Sequence, residues 1–151
     1  MGNYSIPDYN VLVLRLNDVR EEARLFWEQA VEDLKTAKVL LDNNRFYAAA
    51  FFSHQAAEKA LKALYIETKR EIPPRTHSLI RLVRELGISE EEIVDAAIDL
   101  TPEYIVARYP DAANEVPAKT YNRRIAEECF LRAKKVIKYC AKRLGVELPK
   151  C

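Results

Sequence analysis

The chain has 151 residues, of which 49% are hydrophobic and 31% charged, with three glycines and a net charge of +1. This length suffices for one domain with a hydrophobic core, and the apolar content excludes a disordered chain. The near-zero net charge excludes a uniformly basic nucleic-acid binder, and the scarcity of glycine argues against an all-β fold with many tight turns. Composition therefore favours a single α-helical domain.

The amino-terminal region and the cysteines further narrow the class of protein. No apolar run reaches the roughly 18–20 residues of a membrane span, and the run at residues 11–16 is interrupted by Arg15 and lacks the basic start of a signal peptide. We therefore expect a cytoplasmic protein without membrane contact. Cys129, Cys140 and Cys151 form no CxxC pair, so free thiols are predicted and no metal or other cofactor is expected.

Two long amphipathic helices are predicted first. The first covers about residues 18–43, with Asp18 and Glu21 placed to cap its start, and the second covers about residues 45–69. The short connection makes the pair an antiparallel hairpin. Its inward stripe on the first helix is Ala23, Trp27, Ala30, Leu34, Ala37 and Leu41. Its small-residue stripe on the second helix is Ala49, Ser53, Ala56, Ala60 and Ala63. Such a stripe suits close packing inside the hairpin, and an oligomer interface is the alternative.

Shorter helices are predicted after the break that Pro73-Pro74 imposes. One covers about residues 78–86 and stops at Gly87. The next follows the capping-box sequence of residues 89–92, which is flanked by isoleucines in hydrophobic-staple positions. A helix pair that is short and closely spaced is therefore expected in the middle of the chain.

The last part of the chain combines an irregular connection with a long helix. Thr101-Pro102 could restart a helical turn, but residues 108–121 show no helical periodicity. A final helix is predicted from about residue 122 to residue 144, with Gly145 as its stop.

These elements define an all-α chain, an up-and-down helical bundle of four to five helices. It consists of a long helical hairpin, a short helix pair and a long C-terminal helix. We expect an N-terminal extended arm at residues 1–17, the bundle at residues 18–145 and a C-terminal tail at residues 146–151.

Three short motifs occur in order along this predicted bundle. They are FFSHQAAEKALKAL at residues 51–64, His77-Ser78-Leu79 at the start of the short helix, and ARYPD at residues 107–111. Together they resemble the HEPN domain (higher eukaryotes and prokaryotes nucleotide-binding), over roughly residues 18–145. The resemblance implies a helical bundle that usually dimerises, so a homodimer is expected. It also implies a separate small nucleotidyltransferase as partner, in a pair like a toxin and its antitoxin.

The sequence departs from the pattern of those HEPN relatives that are metal-independent RNases. Such relatives carry an Arg-x4–6-His motif at the start of the last helix, and no histidine follows Arg108 at that spacing. Arg70 and His77 satisfy the spacing, but they flank the double proline in an earlier loop, and we treat this match as coincidental. No catalytic residue is therefore assigned.

Six residues are candidates for ligand binding: Arg108, Tyr109, Asp111, His54, Lys59 and Lys62. The first three lie in the irregular connection, where an arginine can hold a phosphate and a tyrosine can stack on a base. The alternative for Arg108 is an ion pair with Asp111 or Glu103 that only pins the loop.

The other three candidates lie in the second helix. His54, with Glu58 one turn on, is of the residue type that serves as an acid–base group or phosphate donor, and a hydrogen-bonded core residue is the alternative. Lys59 and Lys62 belong to segment 59–84, which has seven basic and two acidic residues. This segment could attract a ligand that bears phosphate, although a solvated helix face is the ordinary explanation.

The sequence thus favours a non-catalytic module that binds a nucleotide, a phosphate or a partner, and that acts with a separate nucleotidyltransferase. The first alternative is a metal-independent RNase toxin, with RNA as ligand, in which Arg108 and His54 come together in space. The second alternative is a purely structural helical dimer.

Overall fold

The computed structural model describes residues 20–148 and 150–151. Within these residues all regular structure is helical, which confirms the predicted all-α bundle. The helical segments are α1 (Glu21–Asp42), α2 (Phe46–Lys69), α3 (Leu79–Glu85), α4 (Glu91–Leu100), α5 (Glu103–Val106), α6 (Pro110–Ala113), α7 (Pro117–Thr120) and α8 (Arg123–Leu144). The predicted arm at residues 1–17 lies outside the described residues.

The α1–α2 hairpin is the centre of the fold. All members of the two predicted stripes are buried, the six on α1 as well as the five small ones on α2. Small side chains let neighbouring helices approach closely, and α8 packs against the same hairpin, mainly against α2. The small-residue stripe is therefore internal packing. Asn44 turns the chain between the helices with a φ of 63°, a conformation that asparagine tolerates better than most residues.

Two helices begin later in the chain than predicted. α1 begins at Glu21 after Arg20, without a capping side chain, and the expected cap Asp18 lies outside the described residues. α4 begins after Glu90, one residue later than the predicted capping box requires, and the Glu90 side chain makes no capping hydrogen bond. The staple isoleucines, Ile88 and Ile93, are nevertheless both buried, so hydrophobic contact accompanies this entry without the polar cap.

The connection between α4 and α8 is more helical than predicted. The expectation of an irregular stretch over residues 108–121 is wrong for α6 and α7, which are single turns. Pro102 directly precedes α5, while Pro110 and Pro117 begin α6 and α7. Because proline fixes φ near the helical value and its missing N–H matters little in a first turn, such turns form without amphipathic periodicity.

The long C-terminal helix α8 closes the bundle as predicted. Asn122 caps its start by accepting a hydrogen bond from the N–H of Ile125 at 2.9 Å, and Gly145 ends it with a φ of 73°. Cys129, Cys140 and Cys151 are free thiols, as predicted. The core draws large, fully buried side chains from five helices: Leu34, Leu61, Leu64, Leu79, Leu82, Leu100 and Ile137.

In the part of the chain that the structure describes, no helix is both long enough and apolar enough to cross a membrane.

Candidate functional site

A line of polar side chains runs along α2, which is otherwise largely apolar. His54, Glu58 and Lys62 follow at four-residue spacing, so they share one face of the helix, and all three are buried. The Glu58 carboxylate lies 2.9 Å from Lys62 Nζ and 2.9 Å from Nδ1 of His77. Charged groups are tolerated at this depth when they are paired in this way. We refer to the four residues His54, Glu58, Lys62 and His77 as the polar centre.

His54 is a structural member of this centre. Its side chain is 0% exposed, and its Nε2 lies 2.8 Å from the backbone carbonyl oxygen of His77. A carbonyl only accepts, so Nε2 carries the proton, and Nδ1 is left to accept from the Gln55 amide at 3.3 Å. Burial lowers the pKa of His54 to about 4, so the ring is neutral at pH 7. A neutral, enclosed imidazole of this kind holds the His77 loop in place and does not reach a ligand.

His77 is the histidine that faces solvent. Its side chain is 49% exposed, whereas its Nδ1 is held by the almost fully buried carboxylate of Glu58. Its ring is stacked on Tyr104, with the two centroids 3.7 Å apart and the planes 12° from parallel. The hydrogen bond fixes which nitrogen faces the carboxylate, and the stacking fixes the plane of the ring. His77 is therefore oriented before any ligand arrives.

Arg108 lies on a platform of aromatic rings next to this histidine. Its guanidinium carbon is 4.5 Å from the ring centre of Phe51, 4.8 Å from that of Tyr104 and 5.1 Å from that of Tyr109. These distances are within the range of cation–π attraction. The side chain is exposed, and its Nε donates to the carbonyl oxygen of Tyr104 at 3.2 Å. The guanidinium is thus held in place while its outer face remains open.

The alternative role predicted for Arg108 is an ion pair that pins the loop. Residues 20–148 and 150–151 contain no such pair. Arg108 forms no ion pair there, whether with Asp111 or with Glu103. Glu103 instead accepts a hydrogen bond from the hydroxyl of Tyr121. Burial raises the pKa of Glu103, which is partly buried in α5.

A cleft of about 430 Å³ opens beside His77 and Tyr104. It is lined by His77, Ser78, Thr101, Pro102, Tyr104, Ile105 and Val106. Its volume is in the range of small-molecule sites, and its walls are mainly apolar. A somewhat larger groove of about 500 Å³ beside Leu131 and Lys134 is lined only by aliphatic and lysine side chains. Of these two, the cleft at Tyr104 combines aromatic surface with a histidine and a neighbouring arginine.

The remaining predicted site residues have other partners. Lys59 Nζ lies 2.6 Å from Oδ2 of Asp33 on α1, and Lys62 pairs with Glu58. Both lysines are therefore paired with buried carboxylates. Asp111 is exposed at the start of α6, where its Oδ1 accepts from the N–H of the next residue at 3.1 Å.

The structure gathers three of the six predicted residues, Arg108, Tyr109 and His54, around Tyr104. The His54 and Tyr104 ring centres are 5.8 Å apart. Sequence reasoning assigned His77 no role in the site, although it lies at the centre. The sequence offered two signals for His77, its place in the motif His77-Ser78-Leu79 and its spacing from Arg70. Neither predicts how the ring is oriented, because the contact that orients it reaches 19 residues back along the chain to Glu58.

The architecture is that of a small all-α bundle in which a long hairpin and a short helix pair enclose a polar centre. The family model described as the HEPN domain matches residues 23–144, and the chain belongs to that family. The resemblance carried by the three sequence motifs is thereby confirmed.

Known proteins resemble the chain over most of its length. Among curated proteins it is similar to "Putative toxin MJ1304" of Methanocaldococcus jannaschii, with 33% identity over 129 residues, 76% of this chain and 83% of that protein. Among solved structures it is similar to TT1696 from Thermus thermophilus, with 34% identity, a TM-score of 0.76 and coverage of 82% of this chain and 99% of the other. It is also similar to ST0689, an archaeal HEPN homologue, with 28% identity, a TM-score of 0.68 and coverage of 83% and 99%.

Proposed function

We propose that this protein is a non-catalytic nucleotide- or phosphate-binding module that acts with a separate small nucleotidyltransferase, in a pair like a toxin and its antitoxin. The observation that carries the proposal is Arg108, an exposed cation on three aromatic rings without an ion pair in the described part of the chain. An arginine in this state can grip a phosphate with two hydrogen bonds, and aromatic rings can stack on a base. Similarity to a protein named as a toxin supports the second half of the proposal.

Calorimetric titration with adenosine monophosphate tests the binding half. The Arg108→Ala variant should bind at least tenfold more weakly than the wild type, because it lacks the cation that holds the phosphate. Arg143→Ala is the matched control: Arg143 also lies over a tyrosine ring, at 5.6 Å from the centre of Tyr139, but it belongs to the end of α8. Equal affinities for the wild type and the Arg108→Ala variant would contradict the proposal.

The same titration separates binding from the purely structural alternative. If Arg108 only stabilises the fold or a dimer, Arg108→Ala lowers the melting temperature while the wild type itself shows no heat of binding. Melting curves of both proteins, with and without the nucleotide, therefore accompany the calorimetry.

Size-exclusion chromatography tests the partner half of the proposal. A small nucleotidyltransferase encoded beside this gene, mixed with this protein, should elute with it as one complex. If the mixture showed neither a complex nor nucleotide binding, the proposal would be abandoned.

A metal-independent RNase is the second candidate, and one observation favours it. The half-exposed ring of His77 is held by a buried carboxylate, the arrangement that orients a general base, and Tyr104 lies against both this ring and Arg108. In this candidate His77 takes the role that the sequence-based alternative assigned to His54. Incubation of RNA with chelator tests it: the wild type should cleave, whereas His77→Gln and Arg108→Ala should not. An intact RNA with the wild type would end this candidate.

A further inference from the structure

The cleft beside Tyr104 has a mainly apolar wall with few polar groups. Three hydroxyls line it, those of Ser78, Thr101 and Tyr104, and the first two already bond to helix backbone. Ser78 Oγ accepts from the N–H of Arg81 at 3.2 Å, and Thr101 Oγ1 donates to the carbonyl of Ala97 at 2.7 Å. The other walls are Pro102, Ile105 and Val106, together with the two rings of the stacked pair. The wall that an occupant of this cleft meets is therefore mainly apolar.

The cleft and the open cation share one residue. Tyr104 lines the cleft, and the guanidinium of Arg108 lies 4.8 Å from the centre of the same ring. A ligand that spans the two must join a flat ring to an anionic group across little more than the width of a tyrosine. A nucleoside monophosphate has this construction, because its base and its phosphate are separated by a single ribose.

We propose that the cleft lined by His77, Tyr104 and Ile105 holds the base of a nucleotide whose phosphate lies on Arg108. This inference rests on the proposed function and adds to it the place and the chemistry of base recognition. The base packs between the apolar wall of α5 and the edge of the stacked pair. Because this wall is mainly aliphatic and aromatic, the contact is made chiefly by packing and stacking, which every base can provide.

The first experiment compares two ligands on the wild-type protein. Adenosine monophosphate and ribose 5-phosphate carry the same phosphate and sugar, and only the first carries a base. A base that stacks in a protein cleft contributes about tenfold to a hundredfold in affinity, so adenosine monophosphate should bind at least tenfold more tightly. Equal affinities would overturn the cleft as a base site while the phosphate site on Arg108 stands. Binding of neither ligand would overturn the proposed function as well.

The second experiment blocks the cleft. Ile105 is 47% exposed and lines it, whereas Ile98 on α4 is 48% exposed and lies outside it. Ile105→Trp fills the cleft and should reduce the affinity for adenosine monophosphate to that for ribose 5-phosphate, which itself should stay unchanged. Ile98→Trp is the matched control and should preserve the difference between the two ligands. If Ile105→Trp binds adenosine monophosphate as well as the wild type does, the base lies elsewhere and the inference is wrong.

Discussion

The Nδ1 atom of His77 lies 2.9 Å from Oε1 of Glu58, a carboxylate that is 4% exposed in the middle of α2. This contact joins an exposed loop to the most deeply packed helix of the bundle. The other carboxylate oxygen accepts from Lys62, so the negative charge of Glu58 is balanced from within its own helix. The ring of His77 is thereby oriented by a group that belongs to the core, and the stability of the fold and the geometry of the site depend on the same atoms.

Removal of the Glu58 charge should therefore lower the free energy of unfolding. Glu58→Gln keeps the size of the side chain but leaves the Lys62 ammonium, which is 11% exposed, without its carboxylate. An unpaired charge at this depth costs about 3 kcal/mol of the free energy of unfolding. Glu85→Gln, in the exposed Arg81–Glu85 pair, should cost less than about 1 kcal/mol. Urea denaturation at pH 7 measures both, and equal losses would show that the Glu58–Lys62 pair stabilises the fold no more than an exposed pair does.

The buried His54 predicts a loss of stability in mild acid. Its pKa is about 4 in the folded protein, because burial disfavours the charged ring, against about 6.5 in the unfolded chain. The unfolded chain therefore binds the extra proton first as the pH falls. The free energy of unfolding should decrease from about pH 6.5 downwards and this contribution should level off below about pH 4, after a loss of about 3 kcal/mol.

The variant His54→Gln isolates this contribution. A glutamine amide can still donate to the carbonyl of His77 but does not titrate, so the decline between pH 6.5 and pH 4 should be smaller than in the wild type. Urea midpoints at pH 7.0, 5.5 and 4.5 make the comparison. Parallel declines in the two proteins would mean that other groups, and not His54, set the acid sensitivity.

The contribution of the polar cap of α8 to the free energy of unfolding should also be measurable. Asn122 satisfies the N–H of Ile125, one of the donors that the first turn of a helix leaves unpaired. Asn122→Ala should lower the free energy of unfolding by about 1 kcal/mol, and Asn122→Ser should recover most of it, because serine can accept the same hydrogen bond. Thermal melts followed by circular dichroism compare the three proteins. A serine variant no more stable than the alanine variant would point to packing at this position in place of capping.

The long helices could be predicted from the sequence because their periodicity records which side is buried. The stripe from Ala23 to Leu41 on α1 is an example, since every member of it is buried in the structure. The helix starts were less predictable. α4 begins one residue later than its capping box predicts, and the turns that begin at Pro110 and Pro117 are too short to show any periodicity.

A site residue could be predicted where it belongs to a sequence motif. It could not be predicted where its role depends on a contact with another helix. Arg108 followed from the motif before the last helix, but the rings beneath it come from α2 and α5 as well as from its own loop. Lys59 illustrates the opposite case, because its partner Asp33 lies on another helix, 26 residues away, and no spacing rule connects the two. A lysine in a basic segment therefore resembles a ligand-binding cation until its partner is seen.

The three cysteines should react with thiol reagents at very different rates. Burial raises the pKa of Cys129 to about 12 and raises the pKa of Cys140 further, and both side chains lie in the core, whereas Cys151 is only partly buried. The thiolate is the reactive form, so the two core cysteines are protected by both their pKa and their enclosure. A chromogenic disulfide reagent at pH 8 should titrate about one thiol in the native protein and three in denaturant. The Cys151→Ser variant should show almost no fast reaction, and a fast phase that survives this substitution would show that the core around α8 opens to solvent.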